Sequence, residues 1–272
     1  MLRQRDKNSE IMLSCIEEKY YKGEVVLEHH SFVRIISGEM KIIQSDQKTI
    51  VGVGSTLLIP RNQLATFIKY PKDGKPYKSV VLTFTTEKLK HYYSNHSFEL
   101  TKPQQHRLKL LPPHQLFDSY FAAFESYFDV EDDLPSDLID LKIEEAMIIL
   151  RSVDKDIDYT LADFSEPGKI DLAEFMEKNF MFNMTMEKFG YLTGRSLTTF
   201  KRDFKKSFKS TPQRWLTQKR LELAHYYLSS KDRKPVDVYL EVGFENLSHF
   251  SFVFKKQFGY APTEIKLRAI DE

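Results

Sequence analysis

Between residues 24 and 87 the apolar positions fall in short β-branched or aromatic runs: EVVLEHH, SFVRIISG, EMKIIQS, TIVGVG, TLLIP, ATFIKY and KSVVLTFT. Gly38, the region of Asp46, Gly52, Gly54, Pro60 and the stretch from Pro71 to Gly74 punctuate them. Many short strands with closely spaced turn signals predict a β-sandwich or small barrel. After about residue 110 the period lengthens. Leu116, Phe117, Tyr120, Phe121, Phe124, Tyr127 and Phe128 recur at spacings of three and four, predicting an amphipathic helix near 114–130. Leu138, Leu141 and Ile149 suggest a second helix over about 136–152, with Pro135 near its start, where proline is tolerated. Residues 153–168 are Asp-rich, end on Pro167-Gly168 and read as a linker. Beyond them lie short helical pieces, broken near Asn183, Gly194, Thr211-Pro212, Pro235, Gly243 and Gly259.

Within this helical part the chain repeats itself. Residues 200–212 read FKRDFKKSFKSTP and residues 250–262 read FSFVFKKQFGYAP, so each Phe, the Lys pair and the final Pro recur at an offset of 50. A fixed offset marks a duplicated supersecondary unit. In the first copy Met186, Phe189, Gly190 and Leu192 form the inner face of a short helix, Gly194 supplies the turn, and Ser196 is a good N-cap. The following helix, about 197–208, places Leu197, Phe200, Phe204 and Phe208 inward and Thr198, Thr199, Lys201, Arg202 and Lys205 outward. Helix, Gly-containing turn and second helix make a helix-turn-helix, whose second helix enters the DNA major groove. In the second copy Gly243 makes the turn, Asn246 the N-cap, and Phe250, Val253, Phe254 and Phe258 the inner stripe. Between the copies, Trp215, Leu216, Leu221, Ala224, Tyr227 and Leu228 fit one long helix over 211–229, which would fix the separation of the two readers. One such basic helix alone would more often be a solvated face. Two copies joined by a long helix favour binding to double-stranded DNA.

Charge supports the division. Residues 1–168 hold 21 Lys and Arg against 26 Asp and Glu, a net of −5, whereas residues 169–272 hold 19 against 13, a net of +6. Such asymmetry points to nucleic acid or an acidic membrane surface. A single cysteine, Cys15, excludes an internal disulfide and fits a reducing compartment. The start MLRQRDKNSE has no apolar core of a signal peptide, and no apolar run reaches 18 residues, so a cytoplasmic, nucleoid-associated protein with no membrane partner is expected.

The order and spacing of these residues resemble the AraC/XylS family of bacterial transcription regulators. The resemblance rests on Phe189-Gly190-x3-Gly194-x-Ser196, Phe200-x-Arg202-x-Phe204-Lys205, Pro212, Arg220-x3-Ala224-x3-Leu228, and Gly243-Phe244-x-Asn246-x3-Phe250-x3-Phe254-Lys255-Lys256-x-Phe258-Gly259-x2-Pro262. It implies two helix-turn-helix units on adjacent major-groove segments, with RNA polymerase as a partner and activation as the usual outcome. It implies base-facing positions at Thr198, Lys201 and Arg202, then Leu247, Ser248, Ser251 and Phe252. Lys205, Lys206, Lys255 and Lys256 lie further along the same helices and suit the backbone. Gly190 and Tyr239 stand where the family usually has Ala, so wider packing is expected around Tyr239.

Ser37-Gly38-Glu39-Met40 and Gly54-x4-Ile59-Pro60 resemble the cupin-type barrel often fused to this module. The resemblance makes the barrel the default place for a small-molecule effector, or for a regulatory protein as in the secretion-regulator branch. The helices near 114–130 and 136–152 sit where relatives dimerise, so a homodimer is expected. His29 and His30 are adjacent and on a strand would face opposite sides, so they cannot chelate one ion together; they read as an exposed strand end, and neither metal nor cofactor is expected. The whole is an α+β multidomain chain: a cupin-like regulatory and dimerisation domain over 1–155, a linker over 156–169, and an all-α DNA-binding domain over 170–268. A barrel enzyme tethered to DNA and a regulator switched only by a protein partner are the competing readings.

Overall fold

The computed structural model describes residues 2–4, 10–17, 20–44, 47–98, 107–130, 134–230 and 233–265. The turn expected around Asp46 and the last residues of the 170–268 range lie outside them. The chain divides into two compact units, Met1–Ser165 and Glu166–Glu272.

Among the described residues the first unit holds ten strands: β1 Leu2–Gln4, β2 Ile11–Ile16, β3 Tyr21–Leu27, β4 His30–Ser37, β5 Glu39–Ile43, β6 Lys48–Gly52, β7 Thr56–Ile59, β8 Gln63–Tyr70, β9 Tyr77–Phe84 and β10 Lys109–Leu111. They form two antiparallel sheets, a six-stranded one in the order β1-β2-β9-β4-β7-β10 and a four-stranded one in the order β3-β8-β5-β6. Val33, Ile35 and Leu57 of the first sheet and Met40, Ile42 and Ala65 of the second bury one core between them. The opposite face of the six-stranded sheet is covered as well. Phe32, Leu58, Val80, Leu82 and Phe84 pack there against helices. A sheet covered on both faces reads as continuous apolar runs rather than alternation. For that reason β2, IMLSCI, carried no period-2 signal and was not foreseen.

The covering helices are α1 Thr86–Asn95, α2 Gln115–Ala122, α3 Ser136–Val153 and α4 Asp158–Leu161. Three sequence expectations need correction. The helix expected over 114–130 breaks after α2 and resumes as a short 3-10 turn, Glu125–Asp129. Its aromatic residues Phe117, Tyr120, Phe121 and Phe124 are buried against the sheet, where Phe32 meets Phe121 with ring centroids 5.0 Å apart. The stretch expected as a linker is built into the core instead: Ile157, Tyr159 and Leu161 are buried, and Asp158 receives Arg151 in a two-pronged pair. His30 is not an exposed strand end; it is buried, and its Nδ1 accepts the Arg61 backbone N–H at 3.3 Å.

One buried charge stands out in this unit. Lys69 on β8 is only 8% exposed; its ammonium donates to Ser14 Oγ at 2.9 Å and lies over the rings of Tyr21 and Tyr77. Burial pulls its pKa down from 10.5 to about 8. The unfolded chain therefore binds a proton more tightly between those two values, and native stability should rise with pH across that window. Below it the desolvation penalty is fully present. Lys69→Met removes the charge at similar volume and should stabilise the unit by about 1–2 kcal/mol near neutral pH, with the lost Ser14 and ring contacts offsetting part of the gain. Urea unfolding of both proteins from pH 7 to pH 9.5 checks this; parallel pH profiles would refute it.

The second unit is helical: α5 Leu172–Asn179, α6 Met186–Leu192, α7 Leu197–Phe208, α8 Pro212–Ser230, α9 Pro235–Val238 and α10 Leu247–Phe258, then a 3-10 turn, Pro262–Glu264. Its apolar residues form two separate cores strung on α8. Trp215 and Leu216 of α8 join Leu172, Met176, Phe189, Phe200 and Phe204. Leu221, Ala224 and Leu228 join Val238, Val242, Phe244, Phe250 and Phe254. Among the described residues no helix is long and apolar enough to cross a membrane.

Candidate nucleic-acid interface

Each reader helix starts on a side-chain cap. Ser196 Oγ accepts from the Thr199 N–H and Asn246 Oδ1 from the His249 N–H, satisfying donors that an uncapped helix would leave free. Each ends on a residue in the left-handed region, Lys209 at φ 52° and Gly259 at φ 84°, 50 positions apart. The turns before them match as well. The Arg195 N–H bonds Gly190 O and the Phe244 N–H bonds Tyr239 O, both at 2.9 Å. A Cβ on Gly190 would stand 2.9 Å from Arg195 O, so the missing side chain lets the first turn close tightly. Tyr239 is half-buried on the second core, and the second turn reaches its cap one residue later, Gly243 to Asn246 against Gly194 to Ser196. The helix before that turn is shorter too: α9 covers only four residues.

On α7, Phe200 and Phe204 are buried, while Thr198, Lys201, Arg202, Lys205 and Lys206 are all exposed on the other side. Arg202 contacts Asp203 Oδ1 through Nε at 3.3 Å and Nη2 at 3.2 Å, and Arg195 holds the other carboxylate oxygen at 3.2 Å. Partial desolvation pushes the Asp203 carboxyl up, but its bonds to Arg195 and Arg202 and their charges outweigh that and hold its pKa below the usual value. On α10, Leu247, Ser248, Phe252, Lys255 and Lys256 are exposed. Ser251 is half-buried, and its hydroxyl donates to Leu247 O at 2.8 Å. Both predicted sets thus share one face of their helix, with Ser251 the least available.

A groove of about 390 Å³ that was not foreseen lies beside α7, bordered by Lys201, Lys205 and the start of α8 at Thr211, Pro212 and Gln213. Two cations beside the positive end of a helix dipole favour a phosphate oxygen. The signal was present in Thr211-Pro212, a cap followed by a proline in the first helical position.

Residues 192–268 match the helix-turn-helix domain family, and residues 30–157 match the ExsA N-terminal regulatory domain, between them most of the chain. The chain belongs to the AraC family of transcriptional regulators. That family consists of regulators and not enzymes. Over 140 residues the chain is 30% identical to the virulence regulon transcriptional activator VirF of Yersinia enterocolitica, covering 51% of this chain and 52% of that one. It is 33% identical over 92 residues to the transcriptional regulator ExsA of Pseudomonas aeruginosa, covering 34% and 33%. The chain thus spans about half the length of the first curated relatives it matches, or less. Among solved structures, apo ToxT from Vibrio cholerae aligns over 96% of this chain and 98% of its own, at 14% identity and a TM-score of 0.45. For this AraC-family chain the helix-turn-helix match takes in α7 and α10, and the regulatory-domain match takes in β4 to β10 with α1 to α3.

Proposed function

We propose that this AraC-family chain is a cytoplasmic, sequence-specific DNA-binding regulator and activates transcription through RNA polymerase. The observation that carries the reading is the pair of capped helices α7 and α10. Each buries a Phe stripe and exposes a polar or basic face, and both are mounted on the single helix α8. Thr198, Lys201 and Arg202 read bases in the first unit, and Leu247, Ser248, Ser251 and Phe252 in the second. Lys205, Lys206, Lys255 and Lys256 hold phosphates. VirF, named as an activator, supports the sign of regulation. Selection of bound duplexes from random DNA by the whole chain tests the reading: two enriched half-sites about 10 base pairs apart are expected. Failure to enrich any sequence would refute it.

The amino-terminal unit, Met1–Ser165, is the regulatory part, controlled by an effector or a protein partner, and it makes the homodimer. Leu141 and Ile148 support dimerisation: they lie two turns apart on α3 and are 65% and 53% exposed. Leu138 and Ile149, expected beside Leu141, instead pack partly inward. Leu141→Asp should yield monomers in sedimentation without loss of fold; a folded variant that stays dimeric would defeat the assignment.

A further inference from the structure

The two helix-turn-helix units have separate cores, yet one side chain ties them together. Arg220 stands on α8 between Leu216, which belongs to the first core, and Leu221, which belongs to the second. Its guanidinium donates from Nε to Phe180 O at 2.9 Å and from Nη2 to Phe182 O at 3.0 Å. Both carbonyls lie in the connection between α5 and α6, in the first unit. The third prong, Nη1, donates to Gly243 O at 2.9 Å, in the turn of the second unit.

The turn around Gly243 is pressed against that connection. Gly243 has φ 94°, and a Cβ there would lie 2.6 Å from Met181 O and 2.8 Å from Arg220 Nε. Outside the contact, Asn183 Nδ2 donates to Glu245 Oε1 at 2.5 Å. A planar fork can serve three fixed carbonyls at once, whereas a lysine would bring a single point charge on a flexible stem.

We infer that Arg220 is a positioning residue which locks the rotational phase of α10 relative to α7, so that both reader helices meet the duplex at one fixed half-site spacing. The inference rests on the DNA-binding reading above. The backbone oxygens it uses lie before α6 and before α10, so the clasp joins the α5–α6 connection to the turn before α10 directly rather than through the packing of each core on α8. Tethered readers in correct register act with a high effective concentration, and that gain disappears when the register is free.

The experiment uses the whole chain and duplexes taken from the sequence it enriches from random DNA. The probes carry both half-sites at the selected spacing, the same half-sites with one, two or five base pairs inserted, or one half-site alone. The wild-type chain should lose affinity sharply with each insertion. Arg220→Met should bind the native-spaced probe about 10–100-fold more weakly, keep single-half binding within about twofold, and show a flattened dependence on spacing. Asn183→Ala, at the rim of the same contact, should flatten the profile to a smaller degree. It decides the matter if Arg220→Met fails to fold by circular dichroism. A steep wild-type-like spacing profile in the folded variant would overturn the clasp, as would an equal loss on single and double sites. A wild-type chain that enriches no DNA would instead overturn the reading beneath it.

Discussion

Cut between the two units, residues 166–272 should bind duplex DNA and residues 1–165 should not. Both fragments keep their own buried cores, so each should fold. Residues 169–272 carry a net charge of +6 and residues 1–168 a net charge of −5. The two reader helices alone present Lys201, Arg202, Lys205, Lys206, Lys255 and Lys256 on their exposed faces. Each phosphate neutralised releases condensed counterions, with a log–log salt slope of about −0.9 per contact. Some six contacts would weaken binding about 10³-fold between 50 and 200 mM salt. Fluorescence anisotropy of both fragments over that range checks the expectation. Retention of DNA by residues 1–165, or salt-independent binding by residues 166–272, would refute it.

The sequence was most readable where burial is one-sided. The helices α7 and α10 show their Phe stripes and basic faces because one side meets a core and the other solvent, so both site and period are visible along the chain. The strands β3 to β9 were visible for a different reason: β-branched or aromatic runs between Gly and Pro turns. The helix α1 was hidden by its position. Leu89, Tyr92 and Tyr93 have helical spacing after the good cap Thr85, but they follow a strand run without a break. The short helix α4 was masked by its own charges. Asp154, Asp156 and Asp158 suggested a solvated linker, yet Ile157, Tyr159 and Leu161 anchor it, and Arg151 and Lys109 pair with the acids. The partners of Arg220 left no trace in composition at all. They are backbone carbonyls, available at any residue, and only the fold brings 180, 182 and 243 within reach.

The two readers should contribute unequally, with Arg202→Ala the most damaging substitution on either. Arg202 lies on the exposed face of α7, within its first two turns, and its side chain is 73% exposed. A guanidinium there can meet guanine O6 and N7 with both prongs of a rigid planar fork, which a serine hydroxyl with its single proton cannot do. Its contact with Asp203 competes little, because an exposed ion pair is worth little in water and is screened further by salt. Asp203 keeps its second link, to Arg195, when Arg202 turns to a base. Arg202→Ala should therefore cost about 1–3 kcal/mol, roughly 5- to 150-fold in affinity, and relax preference at one or two base pairs. The face of α10 works otherwise. Phe252 and Leu247, 68% and 37% exposed, can cover a thymine methyl, whereas the Ser251 hydroxyl already spends its proton on Leu247 O. Apolar contact with a methyl discriminates less than a two-pronged hydrogen bond, so Ser251→Ala should leave the binding profile close to that of the wild type. Profiles selected from random DNA by the three proteins measure this. If the sharpest positions fell in the half-site about 10 base pairs from the one Arg202 touches, α10 and not α7 would be the principal reader.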